Sequence, residues 1–332
     1  MRPPLFVAIV VAAACSRPIG EWGGDHGVVA IDGSSTVFPI TEAVAEEFDK
    51  QGGTRMTVAM SGTGGGFKRL CKREVAVTGA SRPIEPSELE MCRRSGVELI
   101  ELAVAYDGLA IVVNPAATWV DYVTVDELAR LWSPNAQGTV VRWSDVRRGW
   151  PDDEVHLFGA GVDSGTYDYF TQVIVGTEHA SRGDYTSSED DNLLVHGIAT
   201  DKNALGFFGF SYYAENSARL KLVPVDDGNA TNGMGPIAPS AQTVRDGTYQ
   251  PLTRAIFLYV SLEAAARPEV AAFVEFYLTY GPGLVEEVGY IALPDSTNAL
   301  VRARFAARKT GSIFDGRGGN VGTRLEELLR AG

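Results

Sequence analysis

The stretch VVAIDGSSTVFPITEAVAEEFDK, residues 28–50, changes its structural character within a few positions. Its first four residues are β-branched or small apolar groups, which suit a strand. Asp32-Gly33-Ser34-Ser35-Thr36 then interrupts the run with turn- and cap-forming residues. Ile40, Val44 and Phe48 follow at a four-residue spacing, so residues 38–50 read as a helix with one apolar face. A strand that passes through such a turn into a helix leaves backbone N–H groups unpaired at the helix mouth. Two other stretches share this order. Residues 57–60 lead into Ser61-Gly62-Thr63-Gly64-Gly65-Gly66, and residues 155–158 lead, after a short turn, into Asp163-Ser164-Gly165-Thr166. Taken singly, each turn reads as a helix cap. Taken together, three turns with hydroxyls and close-approach glycines suit a small anion held at helix amino termini. None of them is a nucleotide loop, since neither G-x-x-x-x-G-K-[ST] nor G-x-G-x-x-G is present there.

Outward from these turns, short strand-like runs alternate with amphipathic helical ones, the pattern of an α/β fold with parallel sheets. Residues 99–113 (LIELAVAYDGLAIVV) are long for one core strand, and Asp107-Gly108 is expected to break them in two. Thr124-Val125-Asp126-Glu127 is a capping box, with Leu128, Leu131 and Trp132 on one face behind it. Helices are expected over residues 166–175 and, after Pro268, over residues 269–278, with Val270, Phe273, Val274 and Tyr277 inward. A strong apolar strand is expected over residues 255–261. This order suggests two lobes. Residues 114–254 would form lobe II, and residues 28–113 with 255–332 would form lobe I. Extended segments near 112–115 and 251–257 would be the crossovers and hinge.

The chain has 332 residues, with 29 basic against 42 acidic side chains and a net charge of −13. That balance argues against nucleic acid and against an anionic membrane surface as partners. Met1-Arg2 precedes an uncharged apolar run of ten residues, LFVAIVVAAA, too short to span a bilayer. Residues 1–14 therefore read as a secretory signal. Ala12-Ala13-Ala14-Cys15 resembles a bacterial lipoprotein cleavage box, although Ala12 stands where Leu is usual. Cys15 is the expected lipidation site, residues 15–27 a flexible tether, and the anchor the sole contact with the membrane. The two remaining cysteines, Cys71 and Cys92, are expected to pair in an exported protein. Such a bridge closes a loop of roughly 20 residues, worth ~3 kcal/mol in the chain-entropy model. Two separate buried thiols are the alternative.

At this point the motifs become specific. DGSSTVFPIT, SGTGGGFKRLC, GASRPI, DGLAIVVN and DSGTYDYFT occur in order, followed by DYTSSEDDN, ALGFFGF, Leu293-Pro294 and KTGSIF. Together they resemble the PstS-type phosphate-binding proteins of bacterial ABC uptake systems, across nearly all of the mature chain. The resemblance implies a two-lobed type II periplasmic binding protein fold, α/β, with mixed sheets and a double-crossover hinge that closes around one dehydrated phosphate. It implies ligands at Ser164, Gly165 and Thr166, and at Thr36 with Ser35 and the N–H of Val37 beside it. It places a further ligand at Thr63, with Ser61 as an alternative.

Two positions depart from the family pattern. Arg82 stands where an Asp usually accepts the proton of hydrogen phosphate, and Ala160 stands where an Arg is usual. Arg82 is then expected to make the bidentate, charge-assisted contact from the opposite lobe. Asp163 or Asp107 would have to supply the missing acceptor. The expected function is extracytoplasmic capture of inorganic phosphate and delivery to the permease subunits of an ABC importer, by a monomer without cofactor or metal. Another oxyanion (sulfate, molybdate or a phosphonate) is the alternative within the fold. A hydrolase is disfavoured, because no G-x-S-x-G elbow and no HExxH spacing occur and His26, His156, His179 and His196 are isolated. Glu189-Asp190-Asp191 reads as a solvated loop, and the aromatics Phe207, Phe208, Phe210, Tyr212 and Tyr213 as core rather than a partner surface.

Overall fold

The computed structural model describes residues 28–162, 164–188, 190–314 and 325–331. The segments expected to be a signal (1–14) and a tether with Cys15 (15–27), together with Asp163 and Glu189, lie outside the described residues. The chain opens with β1 (Val29–Gly33), α1 (Phe38–Lys50), β2 (Met56–Val58), α2 (Thr63–Cys71), β3 (Val77–Ala80), α3 (Pro86–Arg94) and the long β4 (Leu99–Val113). It continues through β5 (Val123–Thr124), α4 (Val125–Trp132), α5 (Trp143–Val146), β6 (His156–Ala160), α6 (Gly165–Phe170), β7 (Thr186–Ser188) and α7 (Asp191–Thr200). Next come β8 (Ala204–Gly209), α8 (Phe210–Glu215), β9 (Lys221–Leu222), β10 (Val225–Asp226) and α9 (Ala241–Arg245). The last elements are β11 (Thr253–Ser261), α10 (Leu262–Ala265), α11 (Pro268–Glu287), β12 (Ile291–Ala292), α12 (Asp295–Ala306) and α13 (Leu325–Ala331).

Most strands join one mixed sheet in the order β2-β1-β3-β11-β4-β8-β6-β7, with β12 and β9 also paired to β4. β1 runs parallel to β2 and β3, and β6 runs parallel to β7 and β8. β4 links the two parallel groups. Its first part, Leu99 to Gly108, pairs antiparallel with β11, and its last part, Leu109 to Val113, pairs antiparallel with β8. Asp107-Gly108 therefore does not break the strand as expected. Every residue of β4 is buried, and the ladder changes partner at Gly108/Leu109 without losing its hydrogen bonds. Continuous pairing on both flanks outweighs the local preference of Asp-Gly for a turn.

Other elements follow the sequence with adjustments at their ends. α1 spans residues 38–50 as read, with Ile40, Val44 and Phe48 buried. The capping box of α4 forms, Thr124 Oγ1 accepting from the Glu127 amide and Glu127 accepting from the Thr124 amide. β2 stops at Val58, which leaves Met60 exposed in the following loop. The helix expected over 166–175 divides into α6 and a π-type turn over Thr171–Val175. α11 continues well past the expected end, through Pro282, with Gly281 and Val285 buried on its inner face. Tertiary packing there overrides the local breaking signal. Phe207 and Phe208 are fully buried, and Phe210, Tyr212 and Tyr213 pack half-buried against the same core.

The bridge between Cys71 and Cys92 forms, with Cα atoms 4.5 Å apart. It ties the end of α2 to α3, and both cysteines are fully buried. No helix among the described residues is long and apolar enough to cross a membrane.

Candidate functional site

In open α/β sheets ligands sit beyond the carboxyl ends of parallel strands. Here the loops after β1, β2, β3 and β6 open onto one cleft of about 550 Å³. Ser34 and Ser35 enter it from β1, Met60 to Gly65 from β2, Ser81 and Arg82 from β3, and Val162, Asp168 and Tyr169 from β6 and α6. The first two glycine-bearing turns of the sequence thus line one hollow, and α6, which follows the third, reaches it through Asp168 and Tyr169.

The loop after β1 is fixed from beneath. Asp32 is buried, its Oδ1 accepting from the Gly33 amide at 2.7 Å and its Oδ2 from Arg69 of α2. The Ser34 amide donates to Gly79 O and Ser34 Oγ accepts from the Thr36 amide at 3.2 Å. Val37 differs from its expected role: its N–H donates to Ser34 O at 3.1 Å, and its side chain is fully buried over Gly79. Its amide closes the helix mouth and is not presented to the cleft.

α2 begins at Thr63 after Gly62, whose φ of +76° is open to glycine at little cost. Thr63 Oγ1 lies 3.0 Å from Ser81 Oγ and accepts from the Ser81 amide at 3.2 Å. Ser81 therefore joins the wall beside Thr63. It lies within the GASRPI motif, but sequence reasoning passed over it for its neighbour. Arg82 also lines the cleft, yet its guanidinium is already held. Nη1 and Nη2 donate to the two oxygens of Glu88 at 2.8 and 2.9 Å, and Nε faces Glu85 at 3.5 Å. Burial disfavours its charge, but the carboxylates outweigh that cost and hold its pKa above the ordinary value. Arg82 belongs to the same wall as Thr63 and Ser81, and the bidentate contact it makes is with Glu88.

On the opposite wall, Ser164 caps α6 by accepting from the Thr166 amide at 3.2 Å. Gly165 is buried directly against the mouth of α1. A Cβ at Gly165 would lie 2.0 Å from Thr36 Oγ1 and 3.0 Å from the Thr36 amide nitrogen. Thr36, Ser164, Gly165 and Thr166 therefore sit at the junction of the two mouths, while Ser35, Ser61, Thr63 and Arg82 line the open part of the cleft.

Sequence reasoning missed Arg254, at the start of β11. Its side chain is 8% exposed and paired with Asp107, 7% exposed, through Nε at 3.1 Å and Nη2 at 3.0 Å. Nη2 also donates to Thr36 Oγ1 at 2.9 Å and to Gly165 O at 3.0 Å, so one nitrogen touches both helix mouths. The guanidinium lies 4.1 Å from the centre of the Tyr169 ring. Burial pushes the Tyr169 phenol pKa up, and the neutral hydroxyl donates to Pro251 O. Asp107 is thus engaged by Arg254 through its Oδ2. An arginine just before an apolar strand carries no local signal of this role.

At the rim, Asp168, Glu178 and His179 bring one ligand atom each to within 4.8 Å of one another, with His179 Nδ1 at 3.2 Å from Asp168 Oδ1. His179 is isolated only in sequence. Asp168 and Glu178 also place carboxylates on the lining of the cleft.

Parallel strands that end on a shared polar cleft, with helix mouths on both walls, define a solute-binding protein of the type II periplasmic class. A family model described as a PBP superfamily domain matches residues 21–279. Over 331 residues the chain is 44% identical to Protein SphX of Synechococcus elongatus, covering 99% of this chain and 96% of that one. It is 29% identical to the phosphate-binding protein PstS of Staphylococcus aureus over 296 residues, 87% of this chain and 86% of the relative. Its structure is similar to that of a "possible phosphate binding protein" from Planctomyces limnophilus, with TM-score 0.78, 46% identity, and coverage of 85% and 99%. The chain belongs to the PBP superfamily, in the family that holds the SphX and PstS-type proteins.

Proposed function

We propose that this chain is an extracytoplasmic binding protein that captures one inorganic phosphate ion in the cleft and delivers it to the permease of an ABC importer. The observation that supports this reading is that the mouths of α1 and α2 line one hollow together with Asp168 and Tyr169 of α6, while Gly165 packs against Thr36 beside it. Hydroxyls of Ser35, Thr36, Ser61, Thr63, Ser164 and Thr166 and the amide of Gly165 are the proposed ligands. They offer neutral donors to a dehydrated tetrahedral ion, each charge-assisted bond worth about 1.5–3 kcal/mol. Residues 28–113 and 255–332 would form one lobe and residues 114–254 the other, with β4 and the start of β11 as the crossing strands. The protein would act as a monomer without enzymatic turnover, held at the outer face of the membrane by a lipid on Cys15. The similarity to proteins named for phosphate binding supports the choice of anion.

A second reading, a binding protein for sulfate, molybdate or a phosphonate, draws on Arg82 in place of the usual Asp and on the pairing of Asp107 with Arg254. Against sulfate and molybdate, Asp168 and Glu178 place carboxylates on the lining, which suit an ion carrying a proton and repel one without. Calorimetric titration of the full chain with phosphate, arsenate, sulfate and molybdate decides between them. Phosphate should bind one to one, with sulfate weaker by at least about 100-fold, the loss of one or two such bonds. Tight sulfate binding without a phosphate response would establish the second reading instead.

A further inference from the structure

We propose that Arg254, and not Arg82, supplies the positive charge that grips the bound oxyanion, through its Nη1 edge beside Ser81 and Thr63. The proposal rests on the reading of this cleft as an oxyanion site. Two arginines line the cleft among the described residues. Arg82 has both terminal nitrogens on Glu88 and its Nε near Glu85, so two carboxylates face one guanidinium. An anion approaching it meets a charge already overcompensated. Arg254 faces one carboxylate, Asp107, bound by Nε and Nη2 on one edge of the planar group. Its other partners, Thr36 Oγ1, Gly165 O and Ser81 O, are neutral.

The five N–H groups of the guanidinium can then be followed individually. Nε serves Asp107, and Nη2 shares its two hydrogens among Asp107, Thr36 and Gly165, all within 3.0 Å. Nη1 carries two hydrogens and has one contact among the described residues, Ser81 O at 3.4 Å. This is the nitrogen with donors to offer, and it lies on the Ser81 side, where Ser81 and Thr63 already pair their hydroxyls in the cleft lining. Asp107 and the Tyr169 ring fix the plane of the group, so little side-chain freedom is lost when an oxygen binds. A buried ion pair is a poor device for stability alone. At the meeting point of α1, α6 and β11 it is well placed to bind.

The test titrates wild type, Arg254→Gln, Arg82→Gln and the double variant Asp107→Leu/Arg254→Met with inorganic phosphate and with sulfate, and records a melting curve for each. Arg254→Gln should weaken phosphate binding by about 100-fold or more, and Arg82→Gln by less than about fivefold. The double variant leaves no buried carboxylate unpaired, so it should melt near wild type and still bind weakly. Wild-type affinity in Arg254→Gln or in a well-folded double variant, or an equal loss in Arg82→Gln, would overturn the proposal. If wild type takes sulfate and not phosphate, the phosphate reading falls and the same variants titrated with sulfate decide the role of Arg254. If wild type takes neither ion, both fall.

Discussion

Gly165→Ala tests, with a single methyl group, whether the mouths of α1 and α6 act together. The new Cβ would stand 2.0 Å from Thr36 Oγ1, 2.8 Å from Ser35 Oγ and 3.0 Å from the Thr36 amide nitrogen. Ordinary contact begins at 3.4 Å, so the mouths of α1 and α6 must part by about 1.4 Å. Rotation of Thr36 offers no relief, because the residue is 5% exposed and its Oγ1 accepts from Arg254 at 2.9 Å. Parting the mouths stretches the Nη2 bridge from Thr36 to Gly165 O, now 2.9 and 3.0 Å, beyond hydrogen-bonding range on one side. An oxyanion that needs donors from both walls then loses about two charge-assisted bonds, roughly 3–4 kcal/mol or 10²–10³-fold in Kd. Calorimetry with phosphate should therefore show the loss, and the melting temperature of the unliganded protein should fall as the clash costs about 1–3 kcal/mol. Phosphate affinity within twofold of wild type would refute the claim that both mouths hold one ion.

Three further outcomes follow from the same geometry. Reducing the Cys71–Cys92 bridge, which spans 21 positions, should cost ~3 kcal/mol of stability and lower the melting temperature by several degrees, read by circular dichroism with and without dithiothreitol. Gly66→Ala would put a Cβ 2.1 Å from Thr78 Oγ1 and 2.7 Å from Gly33 Cα. It should destabilise by about 1–3 kcal/mol in urea unfolding, because α2 must lift off β1 and β3. Glu127 is the pH-dependent case: burial alone would raise its pKa, but hydrogen bonds from Arg147, both 2.6 Å, and from the Thr124 amide outweigh it and hold the pKa below the usual carboxylate value. Its contribution is present above the unfolded-state pKa and disappears as pH falls through the folded-state pKa. Glu127→Gln should therefore cost about 1.5–3 kcal/mol at pH 7, with the gap to wild type closing below about pH 4.

The legible parts of this molecule were those fixed locally. α1 was readable because Ile40, Val44 and Phe48 repeat on one face, and α4 because Thr124 and Glu127 cap it within four residues. The cysteine pairing was readable because a count of three leaves two after Cys15. That the turns approach one another was suggested by their shared chemistry, but it depends on two groups of parallel strands, β1–β3 and β6–β8, that run in opposite directions across β11 and β4. What escaped were effects of distant partners. Asp107-Gly108 looks like a break until β11 and β8 pair with β4 on either side of it. Arg82 looks free until α3 brings Glu88 beneath it, and Arg254 has no motif because Thr36, Asp107 and Gly165 come from three remote segments.

The pairing of Arg254 with Asp107 also bears on how a chain of net charge −13 can hold an anion selectively and still release it. Long-range repulsion is screened beyond ~8 Å at physiological salt, so the short-range donors decide the outcome. A buried guanidinium with no counter-ion would attract any small anion and surrender it slowly. With Asp107 on one edge, the local charge is near balance, and the open edge offers directed N–H groups rather than a bare field. Affinity then depends on how many donors one ion can satisfy at once. On the proposed reading, a tetrahedral oxyanion would meet the guanidinium edge and the Ser81 and Thr63 hydroxyls together, whereas chloride or a planar carboxylate would meet fewer. Removing Asp107 alone should therefore raise the affinity for all anions while narrowing the gap between phosphate and chloride. A competition titration of Asp107→Asn that left this gap as wide as in wild type would show that the ion pair plays no part in selection.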